Sequence, residues 1–136
     1  CGPRARRDHV INRGRGFIFS TAPSPLMAAC VREALRIVEE EPERREALHD
    51  LIGYAGRKLA PFGVSASGSQ IMPLVLGDEA RTMQIAGALR SAGFDIRGIR
   101  PPTVPAGSSR LRISLTLNIG RAQIDALADT LSEILA

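Results

Sequence analysis

RPPTVPAGSSRLRISLT, residues Arg100 to Thr116, joins a proline-stiffened connection to a strand that carries two arginines. Proline fixes φ and pushes the residue before it toward extended geometry, so Pro101, Pro102 and Pro105 with the Gly107-Ser108-Ser109 run make residues 101–109 a shaped connection. A period of two follows. Arg110, Arg112, Ser114 and Thr116 fall on one side, and Leu111, Ile113, Leu115 and Leu117 on the other. The apolar side requires a core. The polar side is either wet or faces an anion.

Working outward, the same alternation of strand and helix signals organises the chain. Pro61 and Gly63 stop a helix that spans about Glu43 to Ala60, with Ala47, Leu48, Leu51, Ile52, Ala55 and Leu59 on its buried side. Gln70 to Leu76 suits a strand, which Pro73 restricts to an edge or a bulge. Asp78 caps a helix to about Ser91, Gly93 closes it, and Phe94 to Ile99 forms the strand that leads into the proline loop. Arg110 to Leu117 is the third strand. In the last segment, Ile124, Leu127, Ala128, Leu131, Ile134 and Leu135 recur at the spacing of an amphipathic helix.

The N-terminal part is less regular. Residues 6–13 are weakly helical, and Phe17, Ile18 and Phe19 read as a short buried strand. Ser24 and Pro25 then mark a helix start, a side-chain oxygen at the N-cap followed by proline at the first helical position. That helix runs to Glu40 with Met27, Cys30, Val31, Ala34, Leu35 and Val38 toward the interior, Cys30 as a small core residue. The sum is an α+β class with helices covering one face of a three-stranded sheet. CGPRARRDHVINRGRG has neither cap nor apolar face to open a self-sufficient domain, so the chain reads as entered in the middle.

Composition narrows the function classes. A hydrophobic content of 44% supports a real core, and no apolar run approaches the ~20 residues of a membrane span, which predicts a cytoplasmic protein without membrane contact. Two cysteines in 136 residues are too few and too unpatterned for a disulfide framework or a zinc site. His9 and His49 lack partners at ligand or triad spacing, so neither a metal nor a nucleophilic triad is expected. Of 18 basic residues only Lys58 is a lysine. Arginine richness also follows from high-GC coding, and aromatics are scarce, so a nucleic-acid partner is not expected; Arg4, Arg6, Arg7, Arg13 and Arg15 form the one dense cluster.

Candidate site residues come from the loop and strand. Arg110 and Arg112 are about 7 Å apart on one face, either solvated or able to hold a carboxylate in a bidentate pair. Thr103 lies inside PPTVP, either a turn residue or a hydroxyl held in place by the prolines. Ser20 and Thr21 end the strand GFIFSTA, where they contact a phosphate or simply bond local backbone. Ser65 to Gln70, SASGSQ, lacks the lysine and spacing of a phosphate loop and is a connection.

GRGFIFSTAPSP (Gly14 to Pro25), IMPLVLGD (Ile71 to Asp78) and above all IRPPTVPAGSSRLRISLT (Ile99 to Thr116), in this order and spacing, closely resemble the C-terminal part of the α-oxoamine synthases. These are pyridoxal-phosphate enzymes of the aspartate-aminotransferase fold. The PPTVP form favours their biotin-pathway branch over 5-aminolevulinate synthase, 2-amino-3-ketobutyrate ligase and serine palmitoyltransferase. The resemblance implies the small C-terminal domain of the fold type I architecture, with a mostly antiparallel three-stranded sheet, over residues 24–136, and the end of the large cofactor-binding domain over residues 1–23. It implies condensation of L-alanine with a pimeloyl thioester, on coenzyme A or a carrier protein, to 8-amino-7-oxononanoate with loss of carbon dioxide.

By the same resemblance, Arg112 would hold the amino-acid carboxylate and Thr103 would line the acyl-substrate side. Thr21, and less directly Ser20, would reach the cofactor phosphate of the neighbouring subunit, which implies a homodimer with shared active sites. The lysine that binds the cofactor covalently lies, in the family, upstream of the segment that matches Cys1. Lys58 sits in the frame AGRKLAPFG of an amphipathic helix and does not replace it. These residues alone are therefore expected to be inactive. Asn118, Ile119 and Gly120 stand where many relatives carry a histidine. The alternatives are another α-oxoamine synthase, a freestanding α+β module that binds a small acid, and an arginine-rich nucleic-acid binder.

Overall fold

The computed structural model describes residues 2–16 and 22–136. The chain divides into two compact units, Cys1–Glu40 and Glu41–Ala136. In the first, α1 covers Arg4–Arg13 and α2 covers Pro25–Glu40. Ser24 opens α2 as expected, its Oγ accepting from Leu26 N–H at 3.3 Å. The strand expected at Phe17, Ile18 and Phe19 lies outside the described residues, as do Ser20 and Thr21.

One expectation for α2 is corrected. Met27, Val31, Leu35 and Val38 are exposed, no residue of α2 is buried, and Cys30 is an exposed thiol rather than a core residue. Apolar residues at helical spacing report a face that favours burial, without identifying the segment that covers it.

The second unit carries the sheet. Its elements are α3 (Pro42–Leu59), a 3-10 turn (Ala60–Phe62), β1 (Ile71–Gly77), α4 (Glu79–Ser91), β2 (Arg97–Ile99), β3 (Ser109–Ser114) and α5 (Arg121–Leu135). The strand order is β1-β3-β2, and both pairings are antiparallel. Thus β3, the strand with the two arginines, is central. Pro73 lies on the edge strand β1, opposite Arg112, which its missing N–H allows, and the pairing shifts register between Val75 and Gly77.

Alternation along β3 buries Leu111 and Ile113 on one face and continues to Leu115 just past the strand, and these three join Met72 and Leu74 of β1. Ile85, Ala86 and Leu89 of α4, Ile124, Leu127, Ala128 and Leu131 of α5, and Leu51, Ile52, Ala55 and Leu59 of α3 complete this core. All three helices cover the same side of the sheet. Caps set their ends: Asp78 Oδ1 accepts from Arg81 N–H at 2.7 Å, and Gln123 Oε1 accepts from Gly120 N–H at 2.9 Å. Gly93 follows α4 with φ 93°, a conformation that a side chain would strain.

Three further differences from expectation are local. Residues 94–96 do not join β2, because Phe94 N–H bonds Leu89 O and Ile96 N–H bonds Phe94 O, which turns the chain off α4 before pairing begins. The strand β3 stops at Ser114, and Leu117 is exposed. Ala47 is exposed on α3, while Leu48 is only partly buried.

Candidate functional site on the open face of the sheet

The face of the sheet away from the helices gathers the expected residues of the loop and strand, Thr103, Arg110 and Arg112, while Ser20 and Thr21 lie outside the described residues. Cross-strand partners share a face, so Arg110 and Arg112 lie beside Val75, Pro73 and Ile71 of β1 and beside Ile99 and Arg97 of β2. A cavity of about 440 Å³ opens there, lined by Ser67, Ser69, Ile71, Pro73, Ile99, Thr103, Arg110 and Arg112. Thr103 and Arg112, drawn from a loop and a strand, therefore meet in one cavity. Arg110 joins them.

Three arginines share this face, and their surroundings separate them. Arg97, directly across from Arg112, is held by Asp95: Nε lies 3.0 Å from Oδ1 and Nη2 lies 3.1 Å from Oδ2. Arg110 is half-buried and donates from Nε to Ser108 O at 2.9 Å, which ties it to its own loop. The Arg112 side chain is exposed and makes no hydrogen bond or ion pair among the described residues. A guanidinium presents a rigid fork that matches a carboxylate. Of the three, Arg112 offers that fork without first breaking another bond.

The loop residues are preset as well. Thr103 N–H donates to Arg100 O at 3.0 Å, closing the turn over Pro101 and Pro102, whose peptide bond is cis. Ser108 Oγ donates to Pro105 O at 2.7 Å. On the opposite rim, Ser67 Oγ donates to Ile71 O at 2.8 Å, while Ser69 Oγ accepts from Ile71 N–H at 3.1 Å. SASGSQ is thus a self-tied connection, as its composition suggested, and it also supplies a cavity wall.

Ser67, Ser69, Ile71, Pro73 and Ile99 are not among the site residues expected from the sequence. A signal for part of them exists, because the run IMPLVL is apolar at every position. A strand wet on one face alternates, so an unbroken run marks one whose second face also receives cover. Ile71 and Val75 accordingly stand on the open face, exposed.

A second cavity of about 260 Å³ lies at the end of the core, between Phe94, Ile96, Ile113, Leu115, Ile119 and Ile124. Its one charged lining residue, Asp95, is the partner of Arg97. Lys58 lines neither cavity. It projects from α3 to Asp125 of α5, with Nζ 3.0 Å from Oδ1, and Tyr54 donates its hydroxyl to the same oxygen at 2.6 Å. These two bonds hold the Asp125 carboxyl below the ordinary aspartate range, and Asp125 in turn raises both Tyr54 and Lys58. Arg121 stacks on the Tyr54 ring, 5.0 Å from its centre. The cluster fastens α3 to α5. No group of three or more potential metal ligands exists among the described residues, and none of their helices is long and apolar enough to cross a membrane.

Comparison with known proteins agrees with this architecture. The chain is 43% identical, over 137 aligned residues, to 8-amino-7-oxononanoate synthase of Anaeromyxobacter dehalogenans (strain 2CP-C), with 99% of this chain and 34% of that protein covered. The enzyme of the same name from Methylobacterium radiotolerans is 38% identical, with 98% and 35% covered. The chain therefore spans about a third of these curated relatives, and it is homologous to their C-terminal third.

Among solved structures, 8-amino-7-oxononanoate synthase of Francisella tularensis superposes with a TM-score of 0.81 at 21% identity, covering 99% of this chain and 40% of that one. A Sphingomonas wittichii serine palmitoyltransferase gives 0.82 at 21% identity, with 96% and 34% covered. Both show the same fold, that of the C-terminal part of fold type I pyridoxal-phosphate enzymes. The model of the family "Aminotransferase class I and II" matches residues 1–131. By descent and by fold, this chain belongs to the aminotransferase class I and II family.

Proposed function

We propose that the open face of the sheet is one wall of the active site of an 8-amino-7-oxononanoate synthase. The full-length enzyme condenses L-alanine with a pimeloyl thioester and releases carbon dioxide. The observation that carries this reading is the free guanidinium of Arg112 beside Thr103, in a cavity whose other walls are apolar or self-tied. Arg112 binds and orients the carboxylate of L-alanine. Thr103 lines the side that receives the acyl chain, next to Ile71, Pro73 and Ile99.

The family depends on pyridoxal phosphate, which attaches to a lysine amine. Lys58 does not fit that part, since its Nζ is paired to Asp125 and lines neither cavity. No step through the cofactor is therefore assigned to the described residues. What they do is bind a carboxylate, hold it in register with the acyl chain and wall off one side of the site. By the same reading, Thr21 and less directly Ser20 serve the cofactor phosphate of the neighbouring subunit in a homodimer. In the full-length protein, residues 1–23 end the large domain and residues 24–136 form the small one, and the enzyme is cytoplasmic.

The test is turnover by the full-length enzyme loaded with pyridoxal phosphate. L-alanine with pimeloyl-coenzyme A is expected to give carbon dioxide and 8-amino-7-oxononanoate. Turnover of glycine with a shorter acyl thioester, and none with this pair, would overturn the assignment in favour of another α-oxoamine synthase.

A further inference from the structure

Thr103 makes no side-chain hydrogen bond among the described residues, so its position depends on the turn that carries it. Arg100 is the base of that turn. Its carbonyl accepts the Thr103 N–H bond at 3.0 Å, and its side chain leaves the strand on the side opposite Ile99. Ile99 therefore lines the cavity, while the Arg100 guanidinium reaches Glu79 Oε1 on the first turn of α4.

The floor under this pair is firm. A Cβ added to Gly98 would fall 2.9 Å from Met83 Sδ and 3.4 Å from Thr82 Cγ2, so β2 lies directly against α4. Thr82 Oγ1 in turn donates to Asp78 O at 2.6 Å, at the N-terminus of the helix. Glu79 is thus attached to a helix that cannot drift from β2 without opening the Gly98 contact.

We propose that Glu79 is a positioning residue for the acyl-binding side of the site: by holding Arg100 it fixes the turn, and the turn fixes Thr103. The inference rests on the reading of Thr103 as an acyl-side residue. Glu79 touches no substrate. It acts through a partner 21 residues away in sequence.

The experiment uses the full-length enzyme with Glu79→Gln, Arg100→Gln, the double variant and Thr103→Val. Glu79→Gln is expected to raise the KM for pimeloyl-coenzyme A by about two- to fivefold, the range of one exposed ion pair, with kcat and L-alanine affinity unchanged. Hydrogen exchange at the Thr103 amide should quicken, and adding Glu79→Gln to Arg100→Gln should change neither readout further. An unchanged acyl KM with unchanged exchange, an equal loss of L-alanine affinity, or additive effects in the double variant would overturn the proposal. Thr103→Val separates the two ways to fail. If it leaves the acyl KM unchanged, the assignment of Thr103 falls whatever Glu79 does; if it raises that KM while Glu79→Gln does not, only the role of Glu79 falls.

Discussion

Helix α5 buries Ile124, Leu127, Ala128 and Leu131 in the core, whereas α2, with Met27, Val31, Leu35 and Val38 at similar spacing, buries none of its residues. The two stripes are alike in sequence. The helix α5 closes over residues of its own unit, Leu111, Ile113 and Leu115 among them. The exposed stripe of α2 shows that periodicity measures a demand for apolar cover and does not name the supplier. In a chain that spans about a third of its relatives, those two questions separate.

Truncating one leucine from each stripe gives the largest expected difference. Leu131→Ala removes a fully buried side chain and is expected to lose about 2–5 kcal/mol in urea denaturation. Leu35→Ala, at a residue 59% exposed, should fall within about 0.5 kcal/mol of the parent. Comparable losses at the two positions would show that the α2 stripe is covered in solution. A smaller difference is expected at the helix starts. Asp78→Ala removes a 2.7 Å cap bond and should cost about 1 kcal/mol, and Ser24→Ala, whose bond is 3.3 Å, should cost less. Equal losses would mean that the cap of α2 is as firm as that of α4.

The smallest effect concerns the link between α3 and α5, and it is read from pH. Asp125 has its pKa lowered below 3.8 by Tyr54 and Lys58, so its contribution is present above that value and lost as pH falls through the folded pKa. Tyr54 and Lys58 are raised, so theirs persists at neutral pH and fades only as pH rises above about 10. Asp125→Asn should therefore lower stability at pH 7 and converge with the parent in acid. A difference that stays constant below pH 3.8 would contradict the pairing.

Much of the second unit was legible because its signals are local. Asp78, Gly93 and the period of two in RLRIS each mark their own element, and the strands and helices of the unit lie where those marks put them. The start of β2 was not legible, since Phe94 to Ile96 have strand-like composition and their fate depends on hydrogen bonds back to Leu89 and Phe94. The candidate site was legible in halves. Thr103 and Arg112 followed from a family motif, but only the register of β1 against β3 brings Ile71 and Pro73 to them. Likewise, nothing in the spacing of Arg97, Arg110 and Arg112 distinguishes one guanidinium from another. Asp95 and Ser108 do that in three dimensions.

A spectroscopic titration of the cofactor with L-alanine in the full-length enzyme reads the difference between Arg112 and Arg110. Arg112→Lys keeps the charge and loses the bidentate fork, so L-alanine binding should weaken by about ten- to a hundredfold, the value of a charge-assisted hydrogen bond. Arg110→Lys, at a side chain already tied to Ser108, should weaken it by less than about threefold. Unchanged affinity in Arg112→Lys, or a larger loss in Arg110→Lys, would show that Arg112 does not hold the carboxylate.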